Sequence, residues 1–198
     1  MSRPLPFVWP YALVFWVVYV WSFAPEWKIV RRGVEGSRRA DSPDSGSLRL
    51  LLTVQWLALM AIIPLAFFRV WPFPPEAERP LFAVGVTFIL LGSLLRRYCW
   101  RTLGEYFTGD VRARSDQPVI RSGPYHFVRH PSYTAGLMMF IGIGLAFGSV
   151  LGLLILTITT IATYGYRVAV EERALVAAIG EPYRVYMTES KRFIPYIV

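Results

Sequence analysis

Five apolar runs constrain the fold of this 198-residue chain more than any other feature. They cover about Phe7–Ala24, Leu48–Phe68, Pro80–Leu95, Tyr133–Gly148 and Ser149–Tyr166. A helix that crosses a bilayer needs about 20 apolar residues, and about 17 is near the lower limit. The third run is short, but Arg96 and Arg97 at its end can snorkel to the interface. The pattern predicts an all-α integral membrane protein with about five transmembrane helices, folded as a single membrane domain over residues 1–198.

Lysine and arginine are unevenly distributed between the connections. The first loop, the third loop and the C-terminal tail are rich in them, whereas the second loop has two and the fourth has none. The basic residues of the rich connections are Lys28, Arg31, Arg32, Arg38 and Arg39, then Arg96, Arg97, Arg101, Arg112, Arg114, Arg121 and Arg129, then Arg167, Arg173, Arg184, Lys191 and Arg192. By the positive-inside rule, the N-terminus is predicted outside, and the third loop and C-terminus are predicted in the cytoplasm. The net charge of +8 therefore indicates contact with membrane lipid and not with nucleic acid.

The first apolar run could be a signal peptide. Only Arg3 precedes it as a basic residue, and Pro25 directly follows Ala24, where a cleavage site would be needed. We therefore expect a retained span. Without a signal peptide or retention sequence, a bacterial inner membrane is the expected location. The single cysteine, Cys99, excludes an internal disulfide and is expected to serve packing.

The connections have recognisable patterns. Gly33–Ser47 is rich in Gly, Ser, Arg and Asp, which predicts a mobile surface loop. The last two apolar runs are separated only by Phe147-Gly148-Ser149, which predicts a tight helical hairpin. The tail Val168–Glu189 has helical periodicity broken at Gly180 and Pro182, which predicts two short amphipathic helices on the cytoplasmic surface.

Polar residues gather at the two ends of this hairpin. A hairpin brings its exit back beside its entrance, so one cytoplasmic cluster is predicted. Its members are Arg129, His130, Tyr133, Arg167, Glu171 and Glu172. Ionisable groups at membrane depth are costly and usually functional. The alternative is that the two arginines anchor helix ends and the two glutamates are their solvated partners.

Two other patterns suggest ligands but have simpler explanations. His126 and His130 are four residues apart and could bind a metal with Glu171 or Glu172. Pro131 disfavours one continuous helix through both histidines, so no metal site is expected. The series Gly142-x-Gly144-x-x-x-Gly148 is similar to a dinucleotide fingerprint. It lacks a preceding strand and lies in an apolar run, so close helix packing is the better interpretation.

The second half of the chain resembles a known family. The residues that carry the resemblance are Ser122-Gly123-Pro124-Tyr125, Arg129-His130-Pro131-Ser132-Tyr133, Gly136, Arg167, Glu171-Glu172, Leu175, Gly180, Tyr183, Tyr186 and Pro195, preceded by Arg101-Thr102-Leu103-Gly104-Glu105-Tyr106-Phe107-Thr108. In order and spacing they resemble the isoprenylcysteine carboxyl methyltransferase family, and the related phospholipid N-methyltransferases share the Arg-His-Pro-x-Tyr and Glu-Glu signature. The resemblance defines a methyltransferase signature region over residues 97–195.

The resemblance implies a pocket for S-adenosylmethionine at the cytoplasmic interface. The residues it assigns to the cofactor are Gln117, Pro118, Val119, Ile120, Tyr125, His130, Pro131, Ser132, Tyr133, Gly136 and Glu171. Gln117 stands where eukaryotic members begin this segment with His. The group implied to be catalytic comprises Arg167, Glu171, Glu172 and Arg129, with Arg167 facing the carboxylate or other polar end of the acceptor.

The resulting hypothesis is an integral membrane methyltransferase that takes its methyl group from S-adenosylmethionine. Its acceptor would be a lipophilic small molecule or lipid-anchored substrate that enters from the bilayer, such as a prenylcysteine-like carboxylate. One alternative is a sterol-reductase-like oxidoreductase using a nicotinamide, which the Glu171-Glu172 pair disfavours. The other is a non-enzymatic membrane carrier, in which Arg129, His130 and Glu171 would be replaceable. The acceptor, the methylated atom and the oligomeric state stay open.

Overall fold

The computed structural model describes residues 3–37, 44, 46–111, 113 and 116–193 of the chain, and helices account for most of them. The six α-helices are α1 (Tyr11–Ser37), α2 (Ser47–Phe67), α3 (Pro75–Leu103), α4 (Pro131–Phe147), α5 (Val150–Ile179) and α6 (Glu181–Glu189). Short 3-10 helices lie at Leu5–Phe7, Gly104–Tyr106 and Gly123–His126. These ranges contain no β-strand, which confirms the all-α prediction. Arg38, Arg39, Arg112, Arg114 and Pro195, used in the sequence patterns, lie outside the described residues.

The helices have the length and surface of a membrane protein. Among the described residues, α1, α2, α3 and α5 are long and apolar enough to cross a bilayer, whereas α4 is a shorter apolar helix of 17 residues. The predicted number of about five spans therefore includes α4. Large apolar side chains face outward, including Val17 at 58% exposure, Trp56 at 60% and Ile158 at 62%. A soluble monomer rarely exposes so much apolar surface, and a lipid environment accounts for it. The chain is an integral membrane protein.

Two predicted boundaries were wrong because helices continue past the apolar runs. The first helix passes through Pro25 and ends at Ser37, so Gly33–Ser37 are helical and not part of a loop; residues 38–43 and 45 of that predicted loop lie outside the described residues. The predicted amphipathic helix at Val168 is the last part of α5, since one 30-residue helix runs from Val150 to Ile179. The predicted break at Gly180 is confirmed by its φ of 75°.

The α4–α5 hairpin turns at Gly148 and Ser149, as predicted. Gly148 adopts a φ of 78°, and the Ser149 hydroxyl accepts a hydrogen bond from the Gly152 N–H. This turn pairs with the turn between α2 and α3, because the Val150 N–H donates to the Trp71 carbonyl. Both turns therefore lie at the same end of the bundle. The polar residues of the signature region lie at the opposite end.

The helices meet in an apolar core centred on Phe15, Ile62, Ile89, Ile143 and Leu156, each at most 1% exposed. Where α4 packs against α3 and α5, glycines allow backbones to approach. A Cβ atom on Gly142 would lie 2.5 Å from the Gly85 carbonyl oxygen, and one on Gly144 would lie 2.8 Å from the Cα of Leu153. Small residues permit such approach in membrane helix packing. The helix-packing interpretation of Gly142 and Gly144 is confirmed.

Candidate active site

A cavity of about 170 Å³ lies at the signature end of the bundle. Its walls come from α1, α2, α3, α4, α5 and α6 and from the segments around residues 104–111 and 117–125. Nine of the predicted cofactor residues have positions in this wall: Gln117, Pro118, Val119, Ile120, Tyr125, His130, Ser132, Tyr133 and Glu171. Arg129 and Arg167, from the group implied to be catalytic, also line it. Sequence positions as far apart as 117 and 171 thus meet around one cavity.

Three predicted residues do not line this cavity. Pro131 is the first residue of α4, and Glu172 points into a separate network. Gly136 lies against α5, where a Cβ atom would come 2.4 Å from the Tyr164 hydroxyl. Gly136 therefore makes room for Tyr164 and lines a neighbouring apolar groove.

Glu171 and Tyr133 form the polar centre of the cavity. The Tyr133 hydroxyl donates to Glu171 Oε2 at 2.7 Å, which joins α4 to α5. The Tyr133 ring packs edge-on against Tyr164, with 5.0 Å between centroids. In the described part of the structure, no ion pair involves Glu171, so its negative charge faces a cavity walled by tyrosine rings. Carboxylates and aromatic faces are the protein groups that attract organic cations.

Glu172, the neighbouring residue, has a different role. Its carboxylate, 5% exposed, accepts hydrogen bonds from Arg129 Nε at 3.1 Å and Arg192 Nη2 at 2.8 Å, and it lies 3.3 Å from His130 Nε2. The main chain of the same region is also joined, since the Arg129 N–H donates to the Lys191 carbonyl and the His130 N–H donates to the Arg192 carbonyl. Glu172 therefore fastens the C-terminal segment Ser190–Phe193 to the start of α4.

Arg167 lines the cavity with its hydrogen bonds directed to protein partners. Its Nη1 donates to Asp44 Oδ1 at 2.7 Å and to Ser47 Oγ at 2.8 Å, and its Nη2 donates to the Gly109 carbonyl. Burial alone would raise the pKa of Asp44, but hydrogen bonds from the Leu48 N–H and from Arg167 outweigh it and lower that pKa. Arg167 thus ties α5 to the start of α2 and to the segment 107–111. Asp44 lies in a polar stretch without a motif, so its place in the site was not predicted from the sequence.

Arg96 is the second residue that sequence analysis did not place in the site. Its Nε and Nη2 form a two-point contact with the Glu26 carboxylate, at 2.5 and 2.8 Å, and its Nη1 donates to Ser132 Oγ at 2.7 Å. The pair is shielded, with side-chain exposures of 20% for Arg96 and 16% for Glu26. The only available signal was the Arg96-Arg97 pair at the end of an apolar run, which was interpreted as a snorkelling anchor.

An apolar groove of about 630 Å³ adjoins the cavity. Residues of α1 and α2 form much of its wall, including Trp27, Leu51 and Trp56. Arg96 and Tyr164 line both the groove and the cavity, so they mark the junction between the two. The site therefore combines a polar compartment at the signature end with an apolar compartment lined largely by α1 and α2.

Comparison with known proteins agrees with this arrangement. Residues 84–177 match the Isoprenylcysteine carboxyl methyltransferase (ICMT) family, a range that includes α4, most of α5 and the junction residue Arg96. The solved structure of the eukaryotic intramembrane Ras methyltransferase ICMT superposes with a TM-score of 0.60 at 25% sequence identity, covering 77% of this chain and 53% of that one. The chain resembles the isoprenylcysteine carboxyl methyltransferase family, whose model matches slightly less than half of its length.

Curated relatives in this family are protein-S-isoprenylcysteine O-methyltransferases. The Arabidopsis thaliana B enzyme is 25% identical over 115 residues, which are 57% of this chain and 58% of that protein. The Schizosaccharomyces pombe enzyme is 28% identical over 56% of this chain and 48% of its own length. The Xenopus laevis enzyme is 29% identical over 59% of this chain and 41% of its own. The chain thus spans about half the length of the curated relatives it matches.

Proposed function

We propose that the protein transfers a methyl group from S-adenosylmethionine to a lipophilic acceptor. The observation that supports this most is the junction of two unlike compartments, one polar and one apolar, at Arg96 and Tyr164. A methyltransferase of this kind needs a site for a charged cofactor and a site for a membrane-dissolved acceptor that share one reacting point. The family's named activity fits that requirement.

The residues of the polar compartment suit the cofactor. S-adenosylmethionine carries an ammonium, a carboxylate, a sulfonium and an adenine. Glu171 would hold the ammonium, and the rings of Tyr125, Tyr133 and Tyr164 offer faces to the sulfonium. Apolar side chains of the same wall, such as Val119 and Ile179, would cover the adenine. When bound, the cofactor supplies an electrophilic methyl group.

The protein's contribution to such a transfer is mainly alignment. Methyl transfer is an in-line displacement, and holding the two reactants in line can supply most of the acceleration. The Glu172 network and the Arg167–Asp44 pair fix α4, α5 and the loops around the cavity, so that Tyr133 and Glu171 keep their positions. A carboxylate or thiolate acceptor needs no general base, and no group with that role is required here.

The acceptor would come from the bilayer. The groove presents mostly apolar surface and lies between helices whose outer faces are apolar. We propose a lipophilic or lipid-anchored acceptor with a prenylcysteine-like carboxylate at its reacting end. The basic-rich connections support a cytoplasmic site and C-terminus with the N-terminus outside. The bacterial inner membrane stays a prediction from the sequence.

The cavity offers little to the alternative nicotinamide cofactor. Its phosphates would need cationic side chains, yet in the described residues each arginine of the wall is already paired: Arg96 with Glu26, Arg129 with Glu172 and Arg167 with Asp44. The charge of Glu171 would repel the same phosphates. Glu171 is therefore the residue whose substitution best distinguishes the two cofactors.

The test is calorimetric titration of S-adenosylhomocysteine into the detergent-purified protein and its Glu171→Gln variant. We expect saturable binding that weakens at least roughly tenfold in the variant, as loss of a charge-assisted hydrogen bond implies. The matched control is Glu35→Gln, which changes an exposed acid of α1 and should bind like the wild type. Absence of binding by folded wild-type protein, or equal binding by Glu171→Gln, would overturn the proposal.

A further inference from the structure

We propose that Arg96 binds the carboxylate of the acceptor and that Glu26 occupies this position until the acceptor arrives. The inference rests on the proposed function and names residues that none of the sequence motifs includes. Arg96 is the one cationic side chain, among the described residues, that lines both the polar cavity and the apolar groove. An acceptor whose apolar part fills the groove must place its polar end beside this guanidinium.

The contact with Glu26 shows what Arg96 is shaped to bind. A guanidinium and a carboxylate form two parallel hydrogen bonds in one plane, and Arg96 uses Nε and Nη2 for this purpose. Its Nη1 is held from the other side by the hydroxyl and the carbonyl of Ser132. The orientation of the guanidinium is therefore fixed from α4, and the edge toward the groove is left for a carboxylate. Glu26 is an internal stand-in for that group.

Helix α1, which carries Glu26, has a second attachment to α3 that would remain if Glu26 left Arg96. In α1, Pro25 lacks the N–H that would bond the Trp21 carbonyl four residues earlier, and Arg97 Nη2 donates to that carbonyl at 2.6 Å instead. The same guanidinium stacks 4.1 Å above the Trp21 ring. Arg97 thus holds α1 against α3 beside Pro25, and this attachment does not depend on Glu26.

The other arginines of the wall are less suited to the acceptor. Arg167 bonds Asp44, Ser47 and Gly109, none of which lines the groove. Arg129 is bound to Glu172 and to two carbonyls of the C-terminal region. Neither lines the groove. The sequence-based assignment of the acceptor carboxylate to Arg167 is therefore replaced in this proposal by Arg96.

Exchange of one carboxylate for another leaves Arg96 paired throughout. The free-energy cost of the exchange is the loss of the Glu26–Arg96 contact, because the Glu26 carboxylate must return to the interface when the acceptor replaces it. Glu26 therefore acts as an internal competitor, which weakens binding of every carboxylate acceptor and excludes ligands that cannot displace it. Removal of its charge should tighten a carboxylate ligand and leave an uncharged analogue unaffected.

The experiment compares two probes by calorimetry in detergent without a methyl donor: a farnesyl thioether ending in propionate, and the same compound ending in a primary amide. For Glu26→Gln we expect the propionate to bind roughly tenfold tighter, equal to about 1.4 kcal/mol, with the amide unchanged within about twofold. For Arg96→Gln we expect the propionate to lose its advantage over the amide. Glu35→Gln is the exposed-acid control and should resemble the wild type.

The outcomes distinguish failure of this proposal from failure of the proposed function. S-adenosylhomocysteine is titrated into each variant in parallel, and retained binding shows that the fold and the cofactor site are intact. If Glu26→Gln weakens the propionate, or tightens both probes equally, the displacement proposal is overturned even though the cofactor still binds. If Arg96→Gln fails to fold, Glu26→Gln alone decides, because its propionate-to-amide ratio either rises or does not.

Discussion

Adjacent glutamates on α5 should respond in opposite ways to the same substitution. Glu172 is 5% exposed and Arg129, its partner, is 8% exposed, so Glu172→Gln leaves a buried guanidinium without its counter-charge. Removal of one partner from a buried pair costs about 3–5 kcal/mol, and we expect the lower end, about 3 kcal/mol, because the Gln oxygen still accepts a hydrogen bond. Arg192 is 48% exposed and adds little. For a chain of this size, that loss lowers the melting temperature by roughly 6–12 °C.

The assay is thermal unfolding in detergent, with S-adenosylhomocysteine binding measured alongside. Glu171→Gln is the matched comparison, because Glu171 faces the cavity and forms no ion pair within the part of the chain that the structure describes. It should melt within about 2 °C of the wild type, about 1 kcal/mol or less, while losing affinity for the cofactor analogue. The reasoning is refuted if Glu172→Gln melts like the wild type, or if Glu171→Gln is destabilised as strongly.

Three further changes probe the supports of the site. Asp44→Asn should cost about 3 kcal/mol of stability at neutral pH, because it leaves the Arg167 guanidinium without its counter-charge. Since folding lowers the pKa of Asp44, the greater stability of the wild type should disappear only as the pH falls below the usual value of 3.8, which melting curves from pH 7 to pH 3 would show. Gly142→Ala should lower stability by about 1–3 kcal/mol through backbone overlap, whereas Gly165→Ala, with open space at its Cβ, should be neutral or raise it by up to about 1 kcal/mol, as thermal unfolding would report. Tyr133→Phe should weaken S-adenosylhomocysteine binding by roughly threefold to tenfold in calorimetry, and unchanged affinity would contradict a role for its hydroxyl.

The sequence predicted the parts of this fold that depend on local periodicity. Apolar runs located the helices, and the Gly148-Ser149 turn located the hairpin, because both signals are contained within a few residues. Helix ends were predicted less well. The last part of α5 was separated from its span because its polar residues suggested the cytoplasm, whereas nothing in that stretch interrupts a helix before Gly180.

In the candidate site, too, the features set by local sequence were predicted and those set by packing were not. The convergence of Arg129, His130 and Tyr133 with the Glu171-Glu172 pair followed from the hairpin and is confirmed by their contacts. The different environments of the two glutamates could not be predicted, because helical positions one residue apart face about 100° away from each other and only the packing shows which face meets the cavity. The partners of Arg96 and Arg167 could not be predicted from the sequence either.

Those partners lie far away in sequence. Glu26 is 70 residues from Arg96, and Asp44 is 123 residues from Arg167. No spacing rule links residues at such distances, and neither acid belongs to a motif. The contacts form only when α1 and the start of α2 pack against the signature region. A local sequence pattern does not specify that packing.

The most direct test of the central claim is methyl transfer itself. The purified protein is incubated with S-adenosylmethionine labelled with tritium in its methyl group, together with N-acetyl-S-farnesylcysteine and an extract of membrane lipids, and the organic phase is counted. We expect label in a lipophilic product. The label should be lost with Glu171→Gln and, for a carboxylate acceptor, released by base as methanol. Absence of label from the organic phase, with wild-type protein that binds S-adenosylhomocysteine, would contradict it.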